Sequence, residues 1–308
     1  MNKQNVSRRR FLGTSMLAAA GMALASKTSF ANSIFAQAKP NSKFNGVQIG
    51  VITYSFRSMP SSAEQLLQYI LQCDINTIEL MGEAAEAYAG APKRDGSADF
   101  AAKLADWRAN VPMDKFVELR KMYNDAGVTI YAWKPNALNA KNTDAEIEYA
   151  FRAGKALGCS HVTVELPDSA QTQRLGDLAT KNKMHIGYHA HLQATFTLWD
   201  TALSQSKYNG INLDIGHYTA GTSTSPVEFI LKNHDRILSM HLKDRKFHDG
   251  PNMPWGQGDT PIKEVLAMMK DKKYKFPATI EFEYPIPAGS DAVKEVIICR
   301  DYAKAALS

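Results

Sequence analysis

Short apolar runs alternate with helix-like stretches from Val47 to Ala306, and this alternation predicts an α/β protein that folds as a single-domain (β/α)8 TIM barrel. Eight such runs are present, which is the number of strands that closes a barrel of this class. An open doubly wound sheet is the alternative, but no glycine-rich phosphate fingerprint follows any of the runs. Metal-binding types of side chain end the later runs, as active-site residues do at a barrel rim.

The predicted strands are rich in Val, Ile, Thr and Tyr, and Gly, Asn or Pro bounds them. In chain order they are Val47–Thr53, Thr77–Met81, Val128–Trp133, His161–Glu165, Met184–His189, Ile211–Ile215, Ile237–Leu242 and Ala278–Glu283. Residues 32–45, before the first strand, are polar and contain Pro40, so we expect a linker there.

Apolar residues at three-and-four spacing predict helices between these strands. The clearest helices are Ala63–Gln72, Met113–Ala126, Asp144–Leu157, Ser169–Lys181, Pro226–Asn233, Pro261–Lys272 and Asp291–Ala306. Several begin with a capping signal: Ser61 or Ser62 precedes the first helix, Thr143 precedes Asp144, and Ser225 stands before Pro226.

Two insertions interrupt this alternation. Gly82–Val111 follows the second strand, and Arg245–Asp259 follows the seventh. Because both come after a strand, we expect both on the active-site rim, where long loops shape substrate pockets.

Residues 1–38 are predicted to be an export signal and the start of the linker, and residues 39–308 to be the barrel. The segment Ser7-Arg8-Arg9-Arg10-Phe11-Leu12 resembles the S-R-R-x-F-L pattern of twin-arginine signals, with small-residue cleavage sites that end at Ala31 or Ala38. The apolar run from Gly13 to Ala25 is too short and too weak for a membrane anchor. The mature protein is therefore expected to be periplasmic or secreted and not membrane-bound.

The basic charge of the chain belongs to this leader. The formal net charge is +5, and Lys3, Arg8, Arg9, Arg10 and Lys27 carry five positive charges in a segment (residues 1–31) without Asp or Glu. The mature protein is then close to neutral (5 − 5), which gives no support for binding to nucleic acid or to an anionic membrane.

The three cysteines, Cys73, Cys159 and Cys299, lie far apart and lack the spacing of a metal finger. An odd number in an exported protein argues against a disulfide framework, so buried, unreactive thiols are expected.

Carboxylates and imidazoles stand at successive strand ends in the second half of the chain. They are Glu165, His189 with His191, Asp214 with His217, His241, and Glu281 with Glu283. The carboxyl ends of barrel strands meet at one rim, and residues i and i+2 of a strand share a face. The sequence therefore predicts that these side chains converge on a metal centre.

Ligands of this kind, without thiolate, suit Mn²⁺, Mg²⁺, Co²⁺, Fe²⁺ or Zn²⁺ bound with open positions. Adjacent sugar oxygens could then chelate the ion, which would act as a Lewis acid on a carbonyl and stabilise an enediolate. A neighbouring carboxylate could take or return the proton. The pattern predicts a metal-dependent enzyme.

The segments YHAHLQATF, LDIGHYTAG, HLKDRK, GQGD and IEFEYP resemble the xylose isomerase-like barrel superfamily of sugar isomerases, epimerases and dehydratases. Within it, the chain is similar to the branch of inosose dehydratases and sugar phosphate isomerases/epimerases. The resemblance spans about Val47 to Leu307 and is sharpest from Gly187 to Pro285.

The resemblance implies that Asp214 and His241 bind one divalent ion, with Mn²⁺ expected, and that Glu281 both binds it and moves a proton. Glu283 competes with Glu281 for this role. Many members supply a Glu from the fifth strand, where this chain has His189. Glu165 on the fourth strand is expected to restore the carboxylate, so the predicted ligands are Glu165, His189, Asp214, His241 and Glu281, with Glu165 and Glu281 catalytic.

The residues expected to contact substrate are His191, His217, Lys243, Glu79 and Lys134. Lys243 and Asp244 match the H-L-K-D pair that lies near substrate in the superfamily. For Glu79 a structural ion pair is an equal alternative. His161, His185, His234 and His248 are expected to be ordinary core or surface histidines.

The sequence thus predicts an exported isomerase or epimerase that acts on a free or keto sugar through an enediolate. A lyase that eliminates from a keto-inositol or 3-keto-glycoside is one alternative, and a sugar-binding barrel without catalysis is another. The resemblance also suggests an oxidoreductase that makes the keto sugar as a partner in the same pathway. A homo-oligomer is compatible with the sequence, whereas a nucleic-acid partner is not expected.

Export is testable by cell fractionation. The mature protein, shortened by cleavage near Ala31 or Ala38, is expected outside the cytoplasm because the leader has the twin-arginine pattern. Immunoblots of cytoplasmic and exported fractions would measure this. A processed protein found in the cytoplasm alone would contradict it.

Overall fold

Eight parallel strands close into a barrel in the computed structural model, which describes residues 39–308. They are β2 (Val47–Ile52), β3 (Thr77–Met81), β4 (Thr129–Lys134), β5 (His161–Glu165), β6 (His185–His189), β7 (Asn209–Asp214), β8 (Ile237–Leu242) and β9 (Ala278–Ile280). Each strand pairs with the next, and β9 pairs with β2. The predicted (β/α)8 barrel is confirmed, whereas the predicted export signal, residues 1–38, lies outside the described residues.

The helices of the described chain are α1 (Ala63–Gln72), α2 (Gly82–Tyr88), α3 (Phe100–Asn110), α4 (Asp114–Asp125), α5 (Asp144–Leu157), α6 (Ser169–Asn182), α7 (Asp200–Gln205), α8 (Ile215–Thr222), α9 (Val227–Asn233), α10 (Ile262–Lys272) and α11 (Ala292–Ala306). A short 3₁₀ turn follows β2 at Thr53–Phe56. None of these helices, all within residues 39–308, is long and apolar enough for a bilayer span. The three cysteines are buried and free, as predicted.

Two of the three capping signals act as the sequence indicated, whereas α9 begins at Val227 with Pro226 as its N-cap and no side-chain cap, one residue later than predicted. Ser62 forms a capping box with Gln65 at the start of α1, and Thr143 forms one with Glu146 at the start of α5. Each box satisfies two backbone N–H groups that the first helical turn leaves without a partner.

The segment before the first barrel strand is not wholly a linker. Lys43–Phe44 forms β1, which pairs antiparallel with the start of β2. Asn45 and Gly46 connect the two strands, and both have positive φ (46° and 91°), as the Asn-Gly hairpin turn requires. This Asn-Gly pair was the local signal that the polar composition of the segment obscured.

The first insertion contains two helices, α2 and α3, and a buried ion cluster joins them to the barrel. Arg108 of α3 donates to both carboxylate oxygens of Glu86 in α2, at 2.8 and 3.2 Å, and to Glu146 Oε1 of α5 at 3.1 Å. Tyr149 O–H donates to Glu86 as well. The guanidinium therefore fixes the insertion against the helix that precedes β5.

Replacing Arg108 with Met should lower the free energy of unfolding by about 3 to 5 kcal/mol, because two buried carboxylates would lose their shared cation. Urea denaturation followed by circular dichroism would measure this. Lys115→Met is the control, since Lys115 pairs with Glu118 in solvent and its loss should leave the midpoint nearly unchanged. Equal midpoints for the two variants would contradict the role of Arg108.

Candidate metal centre

Four of the predicted metal ligands meet at the carboxyl end of the barrel. His189 ends β6, Asp214 ends β7, His241 lies near the end of β8, and Glu281 follows β9. One ligand atom from each lies within 4.8 Å of the others, and all four side chains are buried. Chain segments far apart in sequence are thus combined into one group, as the barrel topology requires.

His241 lies between two carboxylates. Its Nε2 is 2.8 Å from Glu79 Oε2, and its Nδ1 is 3.0 Å from Glu281 Oε2. Burial lowers the pKa of His241, but these two carboxylates outweigh it and raise the pKa to about 10. With Nε2–H donated to Glu79, Nδ1 is directed at the ligand group, an orientation that a metal-binding histidine needs.

Glu79 lies beneath the group and is fully buried, so it does not line a substrate pocket as one expectation had it. Besides His241, it accepts from Asn212 Nδ2 at 3.1 Å, Tyr131 O–H at 3.2 Å and Thr163 O–H. Burial raises its pKa, yet the charge of His241 and its hydrogen bond bring the pKa down to about 2. The structural ion pair, the alternative left open by the sequence, is what the structure contains.

The strand pairing is irregular beside Glu79 and Asn212. The pairing of β3 with β4 shifts between Ile78 and Glu79, and that of β7 with β8 shifts between Ile211 and Asn212. Such shifts change the direction of a side chain, and they are common beside functional sites. Here they flank Glu79 and Asn212, which are hydrogen-bonded to each other.

Asp214 has two roles that its sequence position explains. It caps α8, since its Oδ1 accepts from the backbone N–H of His217 at 2.7 Å. Its Oδ2 is buried and has no well-aligned hydrogen-bond partner among the described residues, although Lys243 Nζ lies 3.1 Å away. Burial raises the pKa of Asp214 despite that lysine. The oxygen left free by the cap is therefore available to a cation.

His189 is held as a neutral imidazole. It is buried, and burial with the nearby charge of Lys134 lowers its pKa well below the usual range. Its Nδ1 lies 3.4 Å from Asn212 Oδ1, and its ring centroid lies 5.0 Å from that of His241. A neutral imidazole is the form that binds a metal.

Glu165, the expected carboxylate ligand, is not part of this group. Its side chain is 47% exposed and pairs with Lys134 Nζ at 2.5 Å and with His191 Nδ1 at 3.5 Å. Glu165 is the last residue of β5, and its carboxylate is exposed to solvent beside Lys134 and His191. Of the two residues expected at this corner of the metal site, His189 belongs to the group and Glu165 does not.

The side chains expected at the substrate differ in exposure. His191 is half exposed at the rim, and its ring lies 4.6 Å from that of His217. His217 is buried, with Nε2 2.9 Å from Lys243 Nζ and Nδ1 2.8 Å from Arg245 Nη1. Burial, with the charge of Lys243, lowers the pKa of His217 to about 2. His191 and Lys134 thus face the rim, whereas His217 and Lys243 lie within it.

Asp244 orders the second insertion rather than facing the rim. Its carboxylate accepts from the backbone N–H groups of Gly256, Gly258 and Thr260 at 2.7, 2.9 and 3.2 Å. A Cβ on Gly258 would lie 1.9 Å from Asp244 Oδ1, so the GQGD segment needs glycine for this close approach. The loop Arg245–Asp259 is thereby attached to the strand that carries His241.

Sequence analysis missed the residues that hydrogen-bond to Glu79 and His217. Tyr131, Thr163 and Asn212 contact Glu79, and Arg245 contacts His217. A signal was present for Asn212, since it stands two residues before Asp214 and so faces the same side of β7. A polar residue inside an otherwise apolar strand is the pattern that identifies such positions.

A cavity of about 340 Å³ borders Glu165 and Lys134. It lies beside the ends of β4 and β5, and its walls include Pro135, Leu138 and Leu166 together with Asn136. The cavity is therefore lined mainly by apolar side chains, with a few polar ones among them.

The donor set fits a divalent metal. Two imidazoles and two carboxylates suit Mn²⁺, Fe²⁺, Co²⁺ or Zn²⁺, and their number leaves room for further oxygen ligands. Asp214 Oδ2 is a buried oxygen without a well-aligned partner among residues 39–308, and His241 is oriented by a carboxylate behind it.

Comparison with known proteins agrees with the barrel fold. The sequence profile of the family described as xylose isomerase-like TIM barrel matches residues 67–301. A comparison with curated proteins gives no match.

Solved structures share the fold at low identity. A sugar phosphate isomerase/epimerase from Parabacteroides distasonis is 17% identical, with a TM-score of 0.60 over 84% of this chain and 94% of that one. A 3-keto-D-glucoside 4-epimerase from E. coli is 12% identical, with a TM-score of 0.60 over 84% and 99%. A probable 3-DHS dehydratase from Bacillus anthracis is 14% identical, with a TM-score of 0.59 over 85% and 97%.

Replacing Glu79 with Gln should weaken binding of Mn²⁺ by about 10- to 100-fold, because Nε2–H of His241 would lose its charged acceptor. Isothermal titration calorimetry of the metal-free protein would measure this. Glu83→Gln is the control, since Glu83 contacts Asn136 on the rim. An unchanged affinity in the Glu79 variant would contradict the orienting role.

Proposed function

Since the chain belongs to the xylose isomerase-like TIM barrel family, we propose that it is an exported, divalent-metal-dependent isomerase or epimerase of a free or keto sugar. The observation that carries the proposal is the buried group of His189, Asp214, His241 and Glu281 at the carboxyl end of the barrel. The names of solved structures with this fold, which include isomerases and epimerases, agree with it.

His189, Asp214, His241 and Glu281 would hold the ion, with Mn²⁺ as the first choice and Co²⁺, Mg²⁺, Fe²⁺ and Zn²⁺ as alternatives. When bound, the ion supplies a Lewis acid that polarises a sugar carbonyl and stabilises negative charge on the neighbouring oxygens. The chain's own residues must then position the sugar and move the proton.

Glu281 is the proposed base. Burial raises its pKa, but the charges of Lys243 and His241 outweigh burial and hold the pKa well below its usual value. The carboxylate is therefore ionised and able to accept a proton from the carbon beside the carbonyl. Return of the proton to the neighbouring carbon gives isomerisation, and return to the opposite face gives epimerisation.

Glu165 and Lys134 are proposed to act on the rim side. Their ion pair lies next to the group but outside it, where a sugar hydroxyl would be within reach. Glu165 is the second proton donor or acceptor in this scheme, and His191 would hydrogen-bond a hydroxyl of the bound sugar.

β-Elimination is the second candidate, and the cavity beside Glu165 favours it. This space of about 340 Å³ has apolar walls such as Leu138 and Leu166 beside the polar Asn136 and Glu165, and it could receive the leaving group of a sugar bound at the rim. The same proton removal by Glu281 would then be followed by loss of a substituent from the adjacent carbon. Export favours an unphosphorylated substrate in both cases, such as a keto sugar or a 3-keto-glycoside.

A screen of free and 3-keto sugars with added Mn²⁺ in D₂O, followed by NMR, tests the proposal. Deuterium next to the carbonyl is expected in the product, because the abstracted proton exchanges with solvent. An isomer would support the first candidate and an eliminated fragment the second. Absence of bound metal, together with no activity after addition of Mn²⁺ or Co²⁺, would contradict both and favour a binding protein.

Glu281→Gln, assayed with Mn²⁺ in excess so that the loss of one ion ligand does not leave the site without metal, should lower kcat by about 10²- to 10⁴-fold with substrate binding retained, because the amide cannot accept the proton. Steady-state kinetics and substrate titration would measure the two effects. Glu118→Gln, on the exposed face of α4, is the control. An unchanged rate for Glu281→Gln would transfer the role to Glu283 or Glu165.

A further inference from the structure

Lys243 places a buried ammonium inside the candidate metal centre. Its Nζ lies 2.6 Å from Glu283 Oε2, 3.0 Å from Glu281 Oε2, 3.1 Å from Asp214 Oδ2 and 2.9 Å from His217 Nε2. The side chain is 2% exposed. The lysine charge is therefore shared by two buried carboxylates, Asp214 and Glu281, and by the partly exposed Glu283.

Two of these carboxylates belong to the proposed ligand set. Asp214 Oδ2 is the oxygen that the helix cap leaves free, and Glu281 Oε2 is the oxygen next to His241 Nδ1. A divalent ion bound to both oxygens would lie within a few ångströms of the ammonium. Two cations this close in a buried site repel strongly, so the ion and Lys243 Nζ cannot share these oxygens.

The contacts of His217 also indicate that the Lys243 ammonium is not in its most favourable position when it lies beside Asp214 and Glu281. The two ring nitrogens face Lys243 Nζ and Arg245 Nη1, and both of these groups are donors without acceptor capacity. A neutral imidazole accepts at one nitrogen and donates at the other. One of the two contacts is therefore unfavourable for as long as the ammonium stays there.

Glu283 offers the ammonium another position. It makes the shortest contact with Lys243, and its side chain is 18% exposed, compared with 8% for Glu281. The backbone of Lys243 is tightly packed, since a Cβ on Gly216 would lie 2.6 Å from the Lys243 carbonyl oxygen. Movement is thus confined to the side chain, which can pivot from Asp214 and Glu281 toward Glu283 and the rim.

We propose that Lys243 is an internal counter-ion that occupies the cation position while the metal is absent and moves onto Glu283 when the metal binds. Lys243 then neutralises the buried carboxylates of the metal-free protein and competes with the ion for Asp214 and Glu281. The inference rests on the metal site of the proposed function, and it identifies Lys243 as the residue that sets the affinity of that site for the ion.

Lys243→Met tests the competition. Calorimetric titration of the metal-free variant with Mn²⁺ should give affinity at least about tenfold tighter than the wild type, because no ammonium must be displaced. The thermal midpoint of the metal-free variant should fall, since its carboxylates lose their cation, and the rise in midpoint on adding Mn²⁺ should exceed that of the wild type. Lys243→Gln serves as a second variant if the Met variant does not fold without metal.

Lys134→Met is the matched control, because Lys134 pairs with Glu165 outside the ligand group. If Lys134→Met tightens Mn²⁺ binding as much as Lys243→Met, the effect is one of general charge and the displacement is overturned. An unchanged affinity in Lys243→Met overturns it as well, while leaving the metal site intact. A wild type that binds no Mn²⁺, Co²⁺ or Zn²⁺ would instead overturn the proposed function.

Glu283→Gln tests whether Glu283 holds the ammonium after the metal has displaced it. In the wild-type background it should weaken Mn²⁺ binding, because the displaced ammonium loses its charged partner. In the Lys243→Met background it should have little effect, since the two residues act through one contact. Equal weakening in both backgrounds would make Glu283 a metal ligand and overturn the proposed movement.

Discussion

The buried contact between Glu79 and His241 determines the geometry of the candidate metal centre. A carboxylate with no access to water is stable there because an imidazole, an amide, a phenol and a hydroxyl all donate to it. In return, the carboxylate fixes the orientation of the imidazole ring. Strands β3 and β8 are not neighbours, since β9 and β2 lie between them in the closed barrel, so one contact in the barrel interior connects the support to the ligand.

The rim above this contact is built from residues that also end elements of the fold. Asp214 ends β7 and caps α8 with one oxygen, which leaves the other oxygen for the centre. Asp244 comes three residues after His241 and binds the backbone of the loop that follows β8. Backbone hydrogen bonds thus hold Asp214 and the loop that follows β8, which complements the side-chain contact that orients His241.

Most of the fold could be predicted from the sequence, since the strands and most helices have strong local periodicity. The parts that were missed have weak local signals. Helix α3 has little amphipathic character, and its conformation depends on Arg108, whose partners lie on other helices. The helix that begins at Ile215 follows an apolar strand without a break, and the sequence analysis did not identify Asp214 as the capping residue that marks the boundary.

The residues of the site could be predicted from the sequence, whereas how deeply each side chain is buried could not. Strand-end positions and the i, i+2 rule selected His189, Asp214, His241 and Glu281, which the barrel brings together. They did not distinguish Glu165, which is exposed at the end of β5, from Glu79, which is buried in the middle of β3. The pairing of β3 also shifts at Glu79, and that shift has no counterpart in residue type or spacing.

Closure of the barrel by β9 against β2 has a consequence for the order in which the centre forms. Glu281 follows β9 directly, and β9 pairs both with β8 and with the first barrel strand. During synthesis, therefore, His189, Asp214 and His241 emerge before the strand that positions the last ligand. Contacts this distant in sequence form late because chain closure must precede them. An ion held by all four side chains would thus bind the completed barrel and not its folding intermediates, so metal occupancy would report that folding is finished.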